Sequence, residues 1–307
     1  MRPVGPHVLA VGQGLAVIVV SQLMGVLAKL ALFEVAAFTF VWLQLAAALG
    51  YLLFHSFVWR RERWPRTLDR RTWIAVLFVG AVNFGLCRVW MMMGIERLPM
   101  NTFVFVLSFI PLVTLTFSIL FLRERPGPVQ VVGLLLAVLG VWLYFPELPP
   151  PDQRIGFVYA VLVVVGLGAS NNVTRFVLGH ATTDLSPALY STIGLLVGGL
   201  PIVLAGLVLD GARLAEGFEA VGGPRNAAII LANGVIGIAL SQTIFNGILR
   251  TLRSFEASVV ANSGLVWTAL WAIPILGERL ALSRIGAIAV LMAGVLLTQW
   301  RPGGAGT

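Results

Sequence analysis

One stretch of this chain occurs twice, and that repetition restricts the available folds more than any other feature. Phe121–Leu143 returns 154 residues later as Ile275–Leu297, with six identical positions. Matched leucines and valines mean little in an apolar chain, whereas a matched Glu-Arg pair followed at a fixed distance by glycine is informative. The matched residues of that kind are Glu124, Arg125 and Gly140 in the first copy and Glu278, Arg279 and Gly294 in the second. We interpret the chain as two copies of one unit.

The composition predicts that this chain is surrounded by lipid rather than water. Of its 307 residues, 58% are hydrophobic and 11% are charged, whereas soluble domains carry roughly 25% charged residues. The apolar runs are continuous and about 20 residues long, which suits transmembrane helices and not barrel strands. We therefore expect an all-α integral membrane protein. The single cysteine, Cys87, and three scattered histidines offer no disulfide and no metal-ligand spacing, so we expect neither a metal nor a cofactor.

Ten apolar segments are long enough to cross a bilayer. They lie at about residues 10–31, 36–58, 73–95, 101–121, 129–145, 155–178, 188–209, 226–249, 257–276 and 283–299. The proline-rich break Pro146–Arg154 follows the fifth span and divides the chain into a first repeat, residues 1–149, and a second repeat, residues 150–307. Because five is an odd number, the second repeat enters the membrane from the opposite side. The predicted fold is ten transmembrane helices in two inverted five-helix repeats, a design of transporters with a midplane site.

The distribution of positive charge predicts that both termini lie in the cytoplasm. With the N-terminus inside, the inner segments carry 13 lysines and arginines and the outer segments carry 7, in agreement with the positive-inside rule. Six of the inner arginines lie in Arg60–Arg71. We interpret the net charge of +8 as a mark of orientation and of contact with anionic lipid, not of nucleic-acid binding. The 20 arginines against one lysine are typical of a GC-rich genome, so we expect a bacterial cytoplasmic membrane.

Together these features resemble the EamA type of the drug/metabolite transporter superfamily. The motif that carries the resemblance is Leu122–Arg125 with Gly140 and, in the second repeat, Leu276–Arg279 with Gly294. Pro111 matches the proline usual in span 4, but the second repeat has Leu265 at that place and its proline later, at Pro274. The resemblance implies a carrier of small metabolites and not an enzyme, more often an exporter in bacteria, with a cavity lined mainly by spans 3, 4, 8 and 9. Similar proteins carry amino acids, nucleotide sugars, drugs and vitamins, so the resemblance leaves the substrate open.

Arg88 is the one charge deep inside a span. It lies nine residues before Arg97, about 13 Å below that end of its helix. One interpretation is an anchor for a carboxylate or phosphate of the substrate. The other is a structural arginine bonded to backbone carbonyls of neighbouring helices. All 13 carboxylates lie in loops or near span ends, so we do not expect proton coupling through a buried acid.

The repeat offset points to further polar positions in the spans. It maps Arg88 onto Gln242, which shares a helix face with Asn246, and it maps Ser108 onto Asn262. We predict that Arg88, Gln242, Ser108 and Asn262 converge near the axis between the repeats. Together with Asn246, these residues are predicted to bind substrate. The alternative is that they form interhelical hydrogen bonds worth about 0.6 kcal/mol each.

Spans 1 and 6, together with two tryptophans, complete the predicted substrate-binding residues. Gln22 lies in span 1, and the adjacent Asn171 and Asn172 lie in span 6, where each amide needs a partner. Trp90 and Trp267 lie inside their spans rather than at the ends, so an interfacial belt explains them less well than usual. They can stack on a flat or cationic substrate or pack the core.

Other conspicuous residues have a structural explanation. We interpret Lys29 and Arg175, which look like repeat equivalents, as interfacial anchors or gate charges. Glu124 and Glu278 lie at span borders, where bonds to helix ends or an arginine partner explain them. The spacing of Gly194 and Gly198 predicts a close contact between helices.

The function that these observations favour is secondary transport of small metabolites, amino-acid-like or otherwise carboxylate-bearing, by alternating access. The chain has no Walker A loop, so it does not hydrolyse ATP itself. The expected partners are a small-molecule substrate and the lipid bilayer. The alternative is a membrane enzyme acting on lipids or head groups, but the loops are mostly too short to build its site. A receptor or scaffold is disfavoured because inverted copies are suited to alternating access.

Overall fold

The computed structural model describes residues 6–65, 68–122, 127–144, 150–179, 185–248 and 260–299, and every regular element in these ranges is helical. The helices are α1 (Pro6–Ala31), α2 (Ala37–Trp59), α3 (Arg70–Arg97), α4 (Met100–Leu107, continued by Ile110–Leu122), α5 (Pro128–Tyr144), α6 (Pro151–Gly179), α7 (Pro187–Leu209), α8 (Pro224–Ile248), α9 (Val260–Leu276) and α10 (Leu282–Gln299). A 3₁₀ segment, Gly211–Val221, connects α7 to α8. The predicted all-α fold is therefore confirmed.

The lengths of these helices agree with membrane crossing. Seven of them, α1 to α4 and α6 to α8, are long and apolar enough to span a bilayer over the described residues. The other three, α5, α9 and α10, are apolar but shorter within the described ranges. Each helix coincides with one predicted apolar segment, and the boundaries differ by a few residues.

The second helix of each repeat packs against its counterpart in the antiparallel sense. The hydroxyl of Ser56 near the end of α2 lies 2.9 Å from that of Thr192 near the start of α7. Conversely, the hydroxyl of Thr39 at the start of α2 donates to Asp210 at the end of α7 at 2.7 Å. Related helices that run in opposite directions are what inverted repeats require.

The last helices of the two repeats, α5 and α10, form a contact that occurs twice. A Cβ atom on Gly140 would lie 2.7 Å from the backbone nitrogen of Leu291, and one on Gly294 would meet the backbone of Ala137. Gly294 lies 154 positions after Gly140, and Leu291 lies 154 positions after Ala137. The second contact is therefore the first one with the roles of the two repeats exchanged. A contact repeated in this way indicates a two-fold axis between the copies. The glycines matched in the sequence are the points where the two helices touch.

Wide π-helical turns interrupt α3 and α8 at corresponding places, Gly80–Leu86 and Asn233–Leu240. At both places the backbone is closely approached by the second helix of the other repeat. A Cβ on Gly198 of α7 would lie 2.5 Å from the backbone nitrogen of Gly85, and one on Gly234 of α8 would meet the carbonyl oxygen of Gln44 in α2. The predicted close contact at Gly198 is confirmed.

The loops collect at two ends of the helix bundle. At one end, Asn226 at the start of α8 donates to Glu34 after α1 at 2.7 Å. At the other end, Ser186 before α7 donates to Glu62 after α2 at 2.7 Å. Each contact joins two loops that the ten-span topology assigns to the same side of the membrane.

Two charged residues close helix ends. Lys29 is only 8% exposed, and its Nζ donates to the carbonyl oxygens of Ile95 and Glu96 at the end of α3, at 2.6 and 2.8 Å. Glu278 accepts from the backbone N–H groups of Met100 and Asn101 at the start of α4. The charges suit the dipoles of the helix ends they meet. The helix-end interpretation of Glu278 is confirmed. Lys29 binds the carbonyl oxygens at the end of α3 rather than the lipid interface. Glu124 and the side chain of Arg175 lie outside the described residues.

Asp210 ties the end of α7 to the start of α2. Its Oδ2 accepts from the Thr39 hydroxyl at 2.7 Å and from the Trp42 indole at 3.1 Å, and the Arg213 guanidinium lies 3.4 Å from Oδ1. These neighbours lower the pKa of Asp210 below its ordinary value, the Thr39 hydrogen bond most of all. The carboxylate is therefore held in its ionised form.

We expect Asp210→Ala to destabilise the protein by about 1–2 kcal/mol at pH 7, because two hydrogen bonds to an ionised acceptor are lost. Since the folded-state pKa is lower than the unfolded one, this stabilisation is present above about pH 4 and is lost as the pH falls through the folded-state value. Thermal unfolding of both proteins in one detergent, at neutral and at acidic pH, measures the difference. A difference that does not shrink in acid would contradict this role.

Candidate functional site

Arg88 and its repeat counterpart Gln242 are hydrogen-bonded to each other. The Nη2 atom of Arg88 in α3 donates to Oε1 of Gln242 in α8 at 3.1 Å. The Arg88 backbone lies about 13 Å from the Arg97 end of its helix. Gln242 lies 18 residues after Pro224, the first residue of α8, so it is about 27 Å from that same end of the bundle. The backbones of the two residues therefore lie in opposite halves of the bundle, and their side chains meet between them. Because two residues related by a two-fold axis can contact each other only near that axis, the contact lies at the axis between the copies.

A chain of polar side chains continues from this pair. Nε2 of Gln242 donates to Oδ1 of Asn246 at 3.4 Å, and Nδ2 of Asn246 donates to Oγ of Ser191 in α7 at 3.0 Å. The Ser191 hydroxyl in turn donates to the carbonyl of Pro187 at 2.9 Å. Of the four positions predicted to converge, Arg88 and Gln242 meet, whereas no hydrogen bond joins Ser108 or Asn262 to them in the described part of the chain. Ser191 was not anticipated, because its hydroxyl carried no signal beyond being polar within a span.

The guanidinium of Arg88 is incompletely satisfied. Within the described ranges no carboxylate forms an ion pair with it, and its Nε atom is buried without a hydrogen-bond partner. Among the described residues its hydrogen-bond partner is the neutral side chain of Gln242 and not a backbone carbonyl, which the structural interpretation would have required. A buried charge without a counterion is costly unless an anion neutralises it. The geometry therefore suits binding of a carboxylate or another planar anion.

Ser108 and Asn262 lie where α4 and α9 are interrupted. Both are buried. The Ser108 hydroxyl donates to the Phe105 carbonyl at 2.5 Å, and the neighbour of Asn262, Ser263, makes the same bond to Val260 at 2.6 Å. Ser108 is therefore engaged within its own helix. Nδ2 of Asn262 has no partner among the described residues, so it remains a free donor.

Gln22 and Asn172 each link two helices. Oε1 of Gln22 in α1 accepts from the Thr268 hydroxyl in α9 at 2.7 Å. Nδ2 of Asn172 in α6 donates to the carbonyl of Thr114 in α4, the counterpart of Thr268, at 3.2 Å. These bonds match the alternative in which the polar residues tie helices together. Asn171 is partly buried on α6.

Trp90 and Trp267 are partly buried within α3 and α9. Trp90 is two residues from Arg88 in α3.

Sequence reasoning overlooked Gln44. This residue of α2 is fully buried, and neither its amide oxygen nor its amide nitrogen has a hydrogen-bond partner in the described part of the chain. Its repeat counterpart is Gly198. A glutamine in the middle of an apolar span was the available signal, of the same kind as the one that singled out Gln242.

Comparisons with known proteins agree with the repeated helical architecture. A search of curated proteins found no match. A solved structure described as the crystal structure of a protein superimposes with a TM-score of 0.63 at 15% identity, over 94% of this chain and 97% of the other. At that identity the likeness concerns the fold alone. The profile of the EamA-like transporter family matches twice, at residues 9–145 and 154–300. With nearly the whole chain covered by two copies of that profile, the protein belongs to the EamA-like transporter family of the drug/metabolite transporter superfamily.

Proposed function

We propose that this protein is a secondary transporter that moves small carboxylate-bearing metabolites, such as amino-acid-like compounds, out of the cell by alternating access. The observation that carries the proposal is the Arg88–Gln242 hydrogen bond at the axis between the repeats. An anion bound there contacts both copies at once. Rocking of one copy against the other then changes which side of the membrane the anion faces.

The proposed architecture is ten transmembrane helices in two inverted repeats, residues 1–149 and 150–307. The antiparallel packing of α2 on α7 and the exchanged glycine contacts of α5 and α10 support it. Two copies of one unit with opposite orientation can exchange their slightly different conformations at equal energy cost. An opening on one side of the bilayer then becomes an opening on the other.

The chemistry around Arg88 supports an amino-acid-like substrate. A guanidinium binds a carboxylate through two parallel N–H···O bonds. The Nε of Arg88, which has no partner among the described residues, is one of the donors that such a pair uses. The amide oxygens of Gln242 and Asn246 can accept from an ammonium group. Direct contact of the carboxylate with Arg88 replaces the bond to Gln242.

A ligand screen of the purified protein tests this function. Thermal unfolding is measured against a panel of amino acids, other carboxylates, their amides and neutral metabolites, because a ligand that binds only the folded state raises the melting temperature. The expected result is that carboxylates raise it and their amides do not. Flux of the best ligand into protein-containing vesicles must then exceed flux into empty ones. A panel in which neutral compounds alone stabilise the protein would overturn the carboxylate assignment.

We also propose that the protein lies in the bacterial cytoplasmic membrane with both termini in the cytoplasm. The excess of arginine in Arg60–Arg71 supports this orientation. A reporter that is active only in the cytoplasm should be active when it is fused after Arg71. Activity of a periplasm-dependent reporter at that point, with the matching fusion after Arg97 inactive, would reverse the orientation.

A further inference from the structure

The loop between α2 and α3 presents several arginines that the structure leaves unneutralised. Arg60, Arg61, Arg63, Arg70 and Arg71 are exposed. The two acidic residues between them are engaged elsewhere, because Glu62 accepts from Ser186 and Asp69 caps the first turn of α3 through Arg71 and Thr72. Arg60 lies 3.9 Å from Glu62, whereas the other four arginines have no carboxylate partner among the described residues. We call the described residues of this segment, 60–65 and 68–71, the arginine loop.

A ladder of aromatic rings holds the arginine loop in place. Trp64 in the loop stacks between Phe57 at the end of α2 and Trp73 at the start of α3, with ring centroids 6.4 and 6.2 Å apart. The backbone N–H of Glu62 donates to the carbonyl of Ser56 at 2.9 Å. Arg61 adopts a φ of 50°, a left-handed conformation that surrounding contacts must hold for a residue other than glycine. The loop is therefore folded back onto the ends of both helices.

Large apolar side chains lie exposed directly beside these arginines. Phe54, Val58 and Trp59 in the last turn of α2 are 52%, 61% and 74% exposed. In a membrane protein such side chains at the end of a span face acyl chains and the interface. The surface is thus apolar on the side of the bilayer core and cationic immediately outside it. A single ligand that matches both halves has an acyl body and an anionic head.

We propose that the arginine loop, together with the exposed last turn of α2, binds the head group of an anionic phospholipid. The guanidinium groups of Arg61 and Arg63 pair with the phosphate, as planar donors do. Trp59 and Phe54 pack along the acyl chains. Free inorganic phosphate offers no partner for the apolar half of the surface. Nucleic acid would meet exposed Trp and Phe on the face that the bilayer covers. The proposal does not depend on the transport activity.

Retention of lipid by the full-length protein tests this site. The protein is reconstituted in phosphatidylcholine with increasing phosphatidylglycerol, extracted in mild detergent, and the bound lipid is counted by native mass spectrometry. The double variant R61Q/R63Q should lower the apparent affinity for phosphatidylglycerol about tenfold, since each arginine near a membrane surface contributes separately. The matched control R225Q/R279Q removes the same charge from exposed positions at the other end of the bundle and should change nothing.

A second variant separates a built site from general attraction between charges. Trp64→Leu keeps every arginine but removes the ring that stacks on Phe57 and Trp73, so it should also weaken lipid retention. Equal retention in Trp64→Leu and the unaltered protein, with melting temperatures unchanged, would overturn the proposal in favour of diffuse attraction. Competition by millimolar inorganic phosphate that abolishes retention would overturn it in favour of a free-phosphate site. Equal losses in R61Q/R63Q and R225Q/R279Q would also overturn it.

Discussion

Replacing Arg88 with glutamine should abolish transport of an anionic substrate while the protein still folds. The substitution removes the charge that an anion would neutralise, so we expect affinity to fall about a hundredfold or more. Stability should be unchanged or higher, because the substitution removes a partly buried cation that has no carboxylate partner among the described residues. Binding by thermal shift and flux into vesicles measure the loss. Arg88→Lys keeps the charge but not the planar pair of donors and should retain only weak binding.

The exchange of the two residues gives the sharper test. Because Arg88 and Gln242 are related by the repeat and meet at the axis, R88Q/Q242R returns a guanidinium to nearly the same point. We expect this double variant to recover transport to within about tenfold of the unaltered protein, although R88Q alone is inactive, since contacting residues are strongly coupled. Full activity of R88Q would remove Arg88 from the site. If R88Q loses transport and R88Q/Q242R does not recover it, Arg88 remains the anchor for the substrate, but its placement on the axis is contradicted.

Gly198→Ala should be the most destabilising single substitution in the contacts between the repeats. The added Cβ would lie 2.5 Å from the backbone nitrogen of Gly85 and against the carbonyl oxygen of Gly80. Backbone atoms at the π turn of α3 cannot move aside as a flexible side chain can. We expect a loss of roughly 3 kcal/mol or more, at the upper end of the cost of overpacking. Poor yield of folded protein or a strongly lowered melting temperature in detergent would be the readout.

The matched control for this change is Gly286→Ala. Gly286 lies in α10 with nothing within 4 Å of its added Cβ. Alanine is the better helix former by about 1 kcal/mol, so this variant should be as stable as the unaltered protein or more so. Similar melting temperatures for Gly198→Ala and Gly286→Ala would contradict the close approach of α3 and α7.

Much of the fold can be predicted from the sequence because it depends on contributions that individual residues make independently of one another. Apolar runs of membrane length predict the helices, since each residue contributes its own transfer energy. The matched Glu278 and Gly294 predict the repeat, and their roles at a helix start and a helix contact follow from their chemistry. The wide turns in α3 and α8 were not predicted, because each depends on the helices packed around it.

The candidate site was only partly predictable. Depth in the span singled out Arg88, and the offset identified Gln242, but nothing in the sequence indicated that they bond to each other. Gln22 and Asn172 have the same polar signal as Asn246, yet they bond to Thr268 and Thr114 and not to the Arg88–Gln242 pair. Gln44 was missed although it is fully buried and its amide has no hydrogen-bond partner within the described ranges. A polar residue in a span indicates that a hydrogen-bond partner is needed, but the rotation and tilt of the helices decide which partner it meets.

The sequence by itself determined that this chain is a membrane protein, that it consists of two copies of one unit, and that glycines mark where helices come close. Each of these depends on residue type and spacing, which are local. Only the tertiary structure decided that Arg88 bonds to Gln242 and not to backbone carbonyls, that Ser191 completes the chain, and that Lys29 serves the end of α3. Hydrogen bonds require alignment within a few tenths of an ångström between residues far apart in the chain, and that alignment arises from packing of the whole bundle.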